Sequence, residues 1–167
     1  MKTAIRATHG GYIIVNDLLP RAIAFAQEKH KNQKDKQGLP YILHPVAVMV
    51  NVVNHERYPA LTAEDKIAAC CIAILHDVIE DTDATIDDIQ NLLDNPTITA
   101  GVDAMTHYED ETLESYWARA KANPLARIVK LCDLQHNSEP ERAFPDPESR
   151  KRLEEKYARA YEVLKFS

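Results

Sequence analysis

The chain has 167 residues, 45% hydrophobic and 28% charged, with a formal net charge of −6. That length allows one domain with a hydrophobic core, and the acidic excess argues against a nucleic-acid polyanion as the main partner. No apolar run approaches the roughly 20 residues that span a bilayer, residues 1–11 lack the apolar centre of a signal peptide, and Cys70, Cys71 and Cys132 are odd in number within apolar segments, so the expected setting is a reducing cytosol without disulfides.

Residues 1–16 hold two short runs, 4–8 and 12–15, around His9-Gly10-Gly11, and are expected to form a small hairpin or a loose arm. Residues 18–30 place Leu18, Leu19, Ala22, Ile23 and Ala26 at helical spacing. Residues 45–56 are rich in valine and resemble a strand on propensity alone. Pro45 suits a first helical turn, however, and the length exceeds a typical strand, so a helix is expected. Thr62, with Asp65 three positions on, opens a helix expected to reach about Ile79. This helix is apolar on most sides (Ile67, Ala68, Cys71, Ile72, Ile74, Leu75, Val78) and should be central. Thr85 caps a short amphipathic helix through Leu93; residues 97–106 and 113–122 read as two more. Pro124 can open a helix carrying residues 126–136. Pro140, Pro145 and Pro147 mark a loop or turn, and residues 149–166 close the chain as a charged amphipathic helix. Neither repeats nor low-complexity tracts occur. The expectation is one all-α domain over residues 1–167.

The densest chemistry lies in His76-Asp77-Val78-Ile79-Glu80-Asp81-Thr82, directly after the apolar run 67–75. Such a cluster at the end of a buried helix needs a partner, and a metal ion is the expected one. On a continuous helix, His76, Asp77, Glu80 and Asp81 would span an arc of roughly 140° and address one cavity. His44, in Pro40-Tyr41-Ile42-Leu43-His44-Pro45, and Asp133, in Lys130-Leu131-Cys132-Asp133, complete the order His…His-Asp…Asp. An unpaired carboxylate inside the apolar run 128–134 would be costly, which strengthens Asp133 as a ligand. Imidazole and carboxylate donors without thiolate suit Mn²⁺, Fe²⁺ or Zn²⁺. An ion held this way acidifies water and polarises a phosphoryl oxygen, so hydrolysis of a phosphate ester or anhydride is the chemistry it serves best. Glu80 and Asp81 are then placed to orient water or move a proton. The other histidines read as structural or peripheral: His9 and His55 exposed, His30 at a helix end, His107 in a loop, His136 at a pocket rim.

Taken together, these segments resemble the HD-domain phosphohydrolases, and among them the hydrolase domain of Rel/Spo-type alarmone enzymes and their small stand-alone relatives. The matching stretches are residues 26–33, 36–45 (Lys-Gln-Gly-Leu-Pro-Tyr-Ile-Leu-His-Pro), 75–82 (Leu-His-Asp-Val-Ile-Glu-Asp-Thr) and 129–137. The resemblance implies an HD-type helical bundle that removes the 3′-pyrophosphate from guanosine tetra- or pentaphosphate with Mn²⁺. By position it implies that His44, His76, Asp77 and Asp133 bind the metal, that Glu80 and Asp81 handle water and protons, and that Asn137 contacts the nucleotide. Tyr41 belongs to the same motif. Lys34, Lys36 and Lys130 are candidates to meet phosphates, although a lysine in a polar loop is usually just solvated.

Departures from the family pattern fall on substrate contacts. Asp35 stands where an arginine packs on the guanine, Leu134 replaces the arginine of Asp-Arg-Leu-His-Asn, and Pro140 replaces a threonine. Losing a planar cation that stacks on a base should weaken guanine recognition. A phosphatase or phosphodiesterase for another nucleotide therefore stays open, as does a non-catalytic nucleotide-binding regulator, although the intact ligands argue against the latter. An HD-type oxygenase would need further histidines between the His-Asp pair and Asp133, where only His107 is available. With 167 residues taken up by the HD fold, no synthetase activity is expected. Oligomeric state is not legible.

Overall fold

The computed structural model describes residues 2–6, 12–139 and 146–166, with the backbone alone for 2–6 and 12–16. Its body is all-α, as expected. Of the two readings of the N-terminus, the hairpin is observed: β1 (Lys2–Arg6) pairs antiparallel with β2 (Tyr12–Asn16), Ala4 opposite Ile14. The Gly10-Gly11 turn and the loop with Pro140 and Pro145 lie outside the described residues.

Helices α1 (Leu18–Lys29), α2 (Leu43–Asn54) and α3 (Ala63–Leu75) form the first layer. Helix α3 is the axis of the core. Ala68 through Leu75 are all buried, because α1, α2, α6 (Pro96–Met105) and α8 (Pro124–Asn137) pack around it. Each fully buried Ile or Leu here contributes about 1.5–3 kcal/mol, enough to override the strand propensity of β-branched runs such as 46–53. Gly101 of α6 permits the closest approach, since a methyl group in its place would run into the Ile72 side chain. Polar caps end the helices as the sequence implies. The Thr62 side chain accepts the Asp65 amide at 3.1 Å, and Thr85 with Asp88 forms a capping box at the start of α5 (Ile86–Leu93).

A second, smaller apolar cluster joins α7 (Leu113–Ala122), α8 and α9 (Pro147–Leu164) through Tyr116, Trp117, Leu131, Leu134, Ala160 and Leu164. His55, expected to be exposed, is half-buried with its ring edge-on to Phe166. Cys70, Cys71 and Cys132 are buried free thiols. No helix among the described residues is long and apolar enough to cross a membrane.

One expected element is corrected. The helix opened by Thr62 does not run to Ile79: α3 ends at Leu75, and a separate turn of helix, α4, covers Val78–Asp81. Between them His76 is still helical, but Asp77 sits at φ −101°, ψ −3°, a turn conformation. Adjacent side chains on a straight helix diverge by roughly 100°, and this break lets two neighbours address the same point.

Candidate metal centre

Three helix segments bring the predicted ligands to one place. His44 lies in the first turn of α2, His76 and Asp77 occupy the α3–α4 break, and Asp133 faces inward from the middle of α8. Donor atoms of His44, His76 and Asp133 lie within 4.8 Å of one another, and all three residues are buried. Asp77 joins them: its Oδ2 is 3.3 Å from His44 Nε2 and 3.0 Å from His76 Nε2. Asp133 Oδ1 is 3.3 Å and 3.7 Å from the same two nitrogens.

Hydrogen bonds outside the cluster orient each donor. His76 Nδ1 donates to the Ala73 carbonyl at 2.8 Å, which leaves Nε2 with its lone pair. That Nε2 is buried and has no hydrogen bond of its own, although Asp77 Oδ2 is close. His44 Nδ1 meets His136 Nδ1 at 2.8 Å, with the two rings stacked, so a proton carried on His44 Nδ1 likewise leaves Nε2 facing inward. The Tyr41 hydroxyl donates to Asp77 Oδ2 at 2.6 Å. Asp133 accepts from Lys130 Nζ at 2.8 Å and from Asn137 Nδ2 at 2.6 Å, so Lys130, Asp133 and Asn137 form one stripe along α8.

Two imidazole lone pairs and two carboxylates aimed at a common point repel one another unless a cation stands among them. The electrostatics record that demand. Burial would lower His76, but Asp77 and Asp133 hold it well above its ordinary value, and His44 is raised in the same way by Asp133 and Asp77. Burial would raise both carboxyls; His76 and His44 keep Asp77, and Lys130 with the two histidines keeps Asp133, well below the usual carboxylate range. This hard and borderline donor set, dry and preoriented, fits a divalent metal ion.

The cluster forms the floor of a cavity of about 230 Å³. Tyr41, Glu80, Asp81, Lys130 and Asn137 line it with His44, Asp77 and Asp133, so most of the predicted site residues are brought together. Glu80 Oε1 accepts the His107 amide at 2.6 Å, and burial raises its carboxyl above the ordinary value against that bond. Asp81 Oδ2 accepts from Gln33 Nε2 at 2.9 Å, and Gln33 Oε1 is 2.6 Å from Nδ1 of the buried His30. Lys34 and Lys36 are exposed on the loop between α1 and α2 and do not line the cavity. Asp35 is used by that loop itself: its Oδ1 accepts the amides of Gln37 and Leu39, both at 2.9 Å, around Gly38 at φ 81°. Leu134 is buried beneath α9. Pro140 lies outside the described residues.

Sequence reasoning placed His136 only at the pocket rim and gave no role to four further contributors, Gln33, Lys156, Trp117 and Tyr157. His136 backs His44, and its spacing of three from Asp133 on α8 was the available signal. Gln33 holds Asp81. Lys156, Trp117 and Tyr157 line the cavity from α7 and α9, and nothing in those polar stretches marked them.

No family model matches the chain. It is 33% identical over 158 residues to the guanosine-3′,5′-bis(diphosphate) 3′-pyrophosphohydrolase MESH1 of Danio rerio, covering 89% of this chain and 83% of that protein. The chain belongs to the guanosine-3′,5′-bis(diphosphate) 3′-pyrophosphohydrolase family. MESH1 of Homo sapiens is 32% identical over 157 residues, with 88% and 83% covered. A longer family member from Aquifex aeolicus is 30% identical over 158 residues, which is 87% of this chain and 21% of that one. Among solved structures, a metazoan orthologue of SpoT that hydrolyses ppGpp superimposes with a TM-score of 0.69 at 22% identity, covering 92% of this chain and 88% of that chain. That likeness establishes the family's fold for this chain.

Proposed function

We propose that the protein, read as one cytosolic domain over residues 1–167, is a metal-dependent pyrophosphohydrolase that removes the 3′-pyrophosphate of guanosine tetra- or pentaphosphate. The observation that carries this reading is the convergence of the buried His44, His76 and Asp133 with the half-buried Asp77, each oriented by further contacts, in a chain that matches such hydrolases over most of its length. Those four residues would hold the ion, with Mn²⁺ as our assignment and Fe²⁺ or Zn²⁺ compatible with the same donors. A divalent ion there would acidify water and polarise a phosphoryl oxygen.

The remaining residues position and exchange protons. Glu80, anchored through one oxygen to the His107 amide, has its other oxygen to accept a proton from the attacking water. Asp81, steadied by Gln33, would orient that water or pass the proton on. Tyr41 keeps Asp77 in place through its hydroxyl. Lys130 balances Asp133 and presents positive charge to phosphate, while the Asn137 amide faces the nucleotide beside it. Lys34 and Lys36 would meet only phosphates extending past the cavity. The substrate is a small nucleotide, and neither nucleic acid nor a membrane is assigned as partner.

A second reading is favoured by Asp35 and Leu134. The first is bonded to its own loop and the second is buried, so neither supplies the planar cation that would stack on guanine. The same metal centre would then serve a different nucleotide.

The deciding experiment is turnover of guanosine tetraphosphate by Mn²⁺-loaded protein beside a nucleotide panel, with products resolved by chromatography. Release of GDP and pyrophosphate, abolished by a chelator and restored by Mn²⁺, is expected. Turnover confined to another nucleotide would favour the second reading, and protein that purifies without stoichiometric metal and turns over nothing would favour a nucleotide-binding regulator.

A further inference from the structure

The outer wall of the metal cavity is one face of α9, which contributes Lys156, Tyr157 and Ala160. Ala160 is buried with Trp117 and Leu134 and seats this helix on α7 and α8. Lys156 stands one turn before it, on the same side.

The cavity lining carries the carboxylates of Asp77, Glu80, Asp81 and Asp133 against only two lysines, Lys130 and Lys156. These lysines are not equivalent. Lys130 lies 2.8 Å from Asp133 and over the Tyr116 ring, so part of the charge it presents to the cavity is offset by that carboxylate. Among the described residues Lys156 has no ion-pair partner, whereas Arg150 and Arg159 of the same helix are paired with Glu154 and Glu114. Burial and then the charge of Lys130 lower the Lys156 ammonium below its ordinary value, while Glu80 and Asp133 pull it upward, so these groups act on it across the cavity. Lys156 is exposed where it lines the cavity, and an ammonium there without a protein anion gains when an anion enters beside it. With a divalent ion on the cavity floor, the lining approaches neutrality only when Lys156 is counted, and loss of that lysine would leave net negative charge facing an anionic substrate.

We propose that Lys156 is a substrate-phosphate-binding residue, through which α9 supplies the outer, cationic wall of the site. This rests on the hydrolase reading above, in that it takes the ligand to carry a diphosphate. Lysine suits the task as a compact point charge that meets phosphate without a fixed hydrogen-bond fork.

The test uses the Mn²⁺-loaded full chain and its Lys156→Gln and Lys156→Arg variants. Magnesium pyrophosphate is titrated calorimetrically, and KM and kcat are measured with guanosine tetraphosphate. Lys156→Gln should weaken pyrophosphate binding roughly tenfold, as for one charge-assisted contact, and raise KM more than it lowers kcat. Lys156→Arg should stay within about threefold of the parent on both readouts. Bound Mn²⁺ and the thermal midpoint should not change, because Lys156 holds no other described residue in place. Unchanged pyrophosphate affinity in Lys156→Gln, equal losses in both variants, or no measurable binding by the parent protein would each overturn the proposal. Failure of the parent to hydrolyse guanosine tetraphosphate would overturn the functional reading instead, and the pyrophosphate titration would still decide the role of Lys156.

Discussion

The floor of the cavity and its outer wall are built under different constraints. On the floor, His44, His76 and Asp133 are 3%, 1% and 4% exposed, and each donor is held by a further contact: His136, the Ala73 carbonyl, Lys130 with Asn137. Charged groups that dry are tolerated only with partners, so altering one leaves the others uncompensated. The outer wall comes from α7 and α9, where Lys156 has no ion-pair partner among the described residues, and beyond the lining the loop between α1 and α2 spends Asp35 on its own amides. Changes there cost little stability. A metal centre can therefore persist while the surface that selects the substrate is rebuilt, and in this chain the departures from the family pattern spare the four candidate donors.

Substitutions on the floor should break the enzyme, and substitutions on the wall should retune it. The largest loss is expected for Asp77→Ala, which removes a donor and the acceptor of Tyr41. Bound metal should vanish and turnover fall by roughly a thousandfold or more, measured by metal analysis and product chromatography. Retained metal at parental stoichiometry would take Asp77 out of the donor set. Next, Glu80→Gln should keep the metal yet lose about a hundredfold in kcat. An unchanged rate would remove Glu80 from proton transfer and leave Asp81 as the candidate.

His136→Phe preserves the stacked ring and deletes the nitrogen bonded to His44. Metal affinity, followed by competition with a chelating dye, should drop by about tenfold. Equal affinity would mean that His44 is oriented by packing alone. The smallest effect is expected in the loop between α1 and α2. Asp35→Ala should raise KM about threefold through loss of the two loop hydrogen bonds, with kcat unchanged, while Asp35→Asn keeps an acceptor oxygen and should be nearly neutral. If Asp35→Asn instead lowers KM, the Asp35 charge itself is opposing the substrate.

Helical periodicity and capping residues made most of the fold legible: the expected helices over 18–30, 85–93, 113–122 and 126–136 all occur within a few residues of those bounds. The candidate donors that the structure brings together were legible too, because an imidazole or carboxylate inside an apolar run has few inexpensive explanations. The break after Leu75 was not, since His76 and Asp77 are compatible with a continuing helix, and only convergence with His44 and Asp133 favours the turn. Lys156 was hidden for the opposite reason. In a helix charged along most of its exposed length, a lysine facing a cavity has the same local sequence as one facing solvent.

By itself, then, the sequence determined the helical class, the four candidate donors and the family, because these depend on residue type and local spacing. Tertiary structure alone decided which nitrogen of each histidine faces the centre, that His136 backs His44, that Asp35 is spent on its own loop, and that α9 closes the cavity with Lys156. Each of those depends on contacts between segments far apart in the chain, and local periodicity carries no information about which distant faces meet.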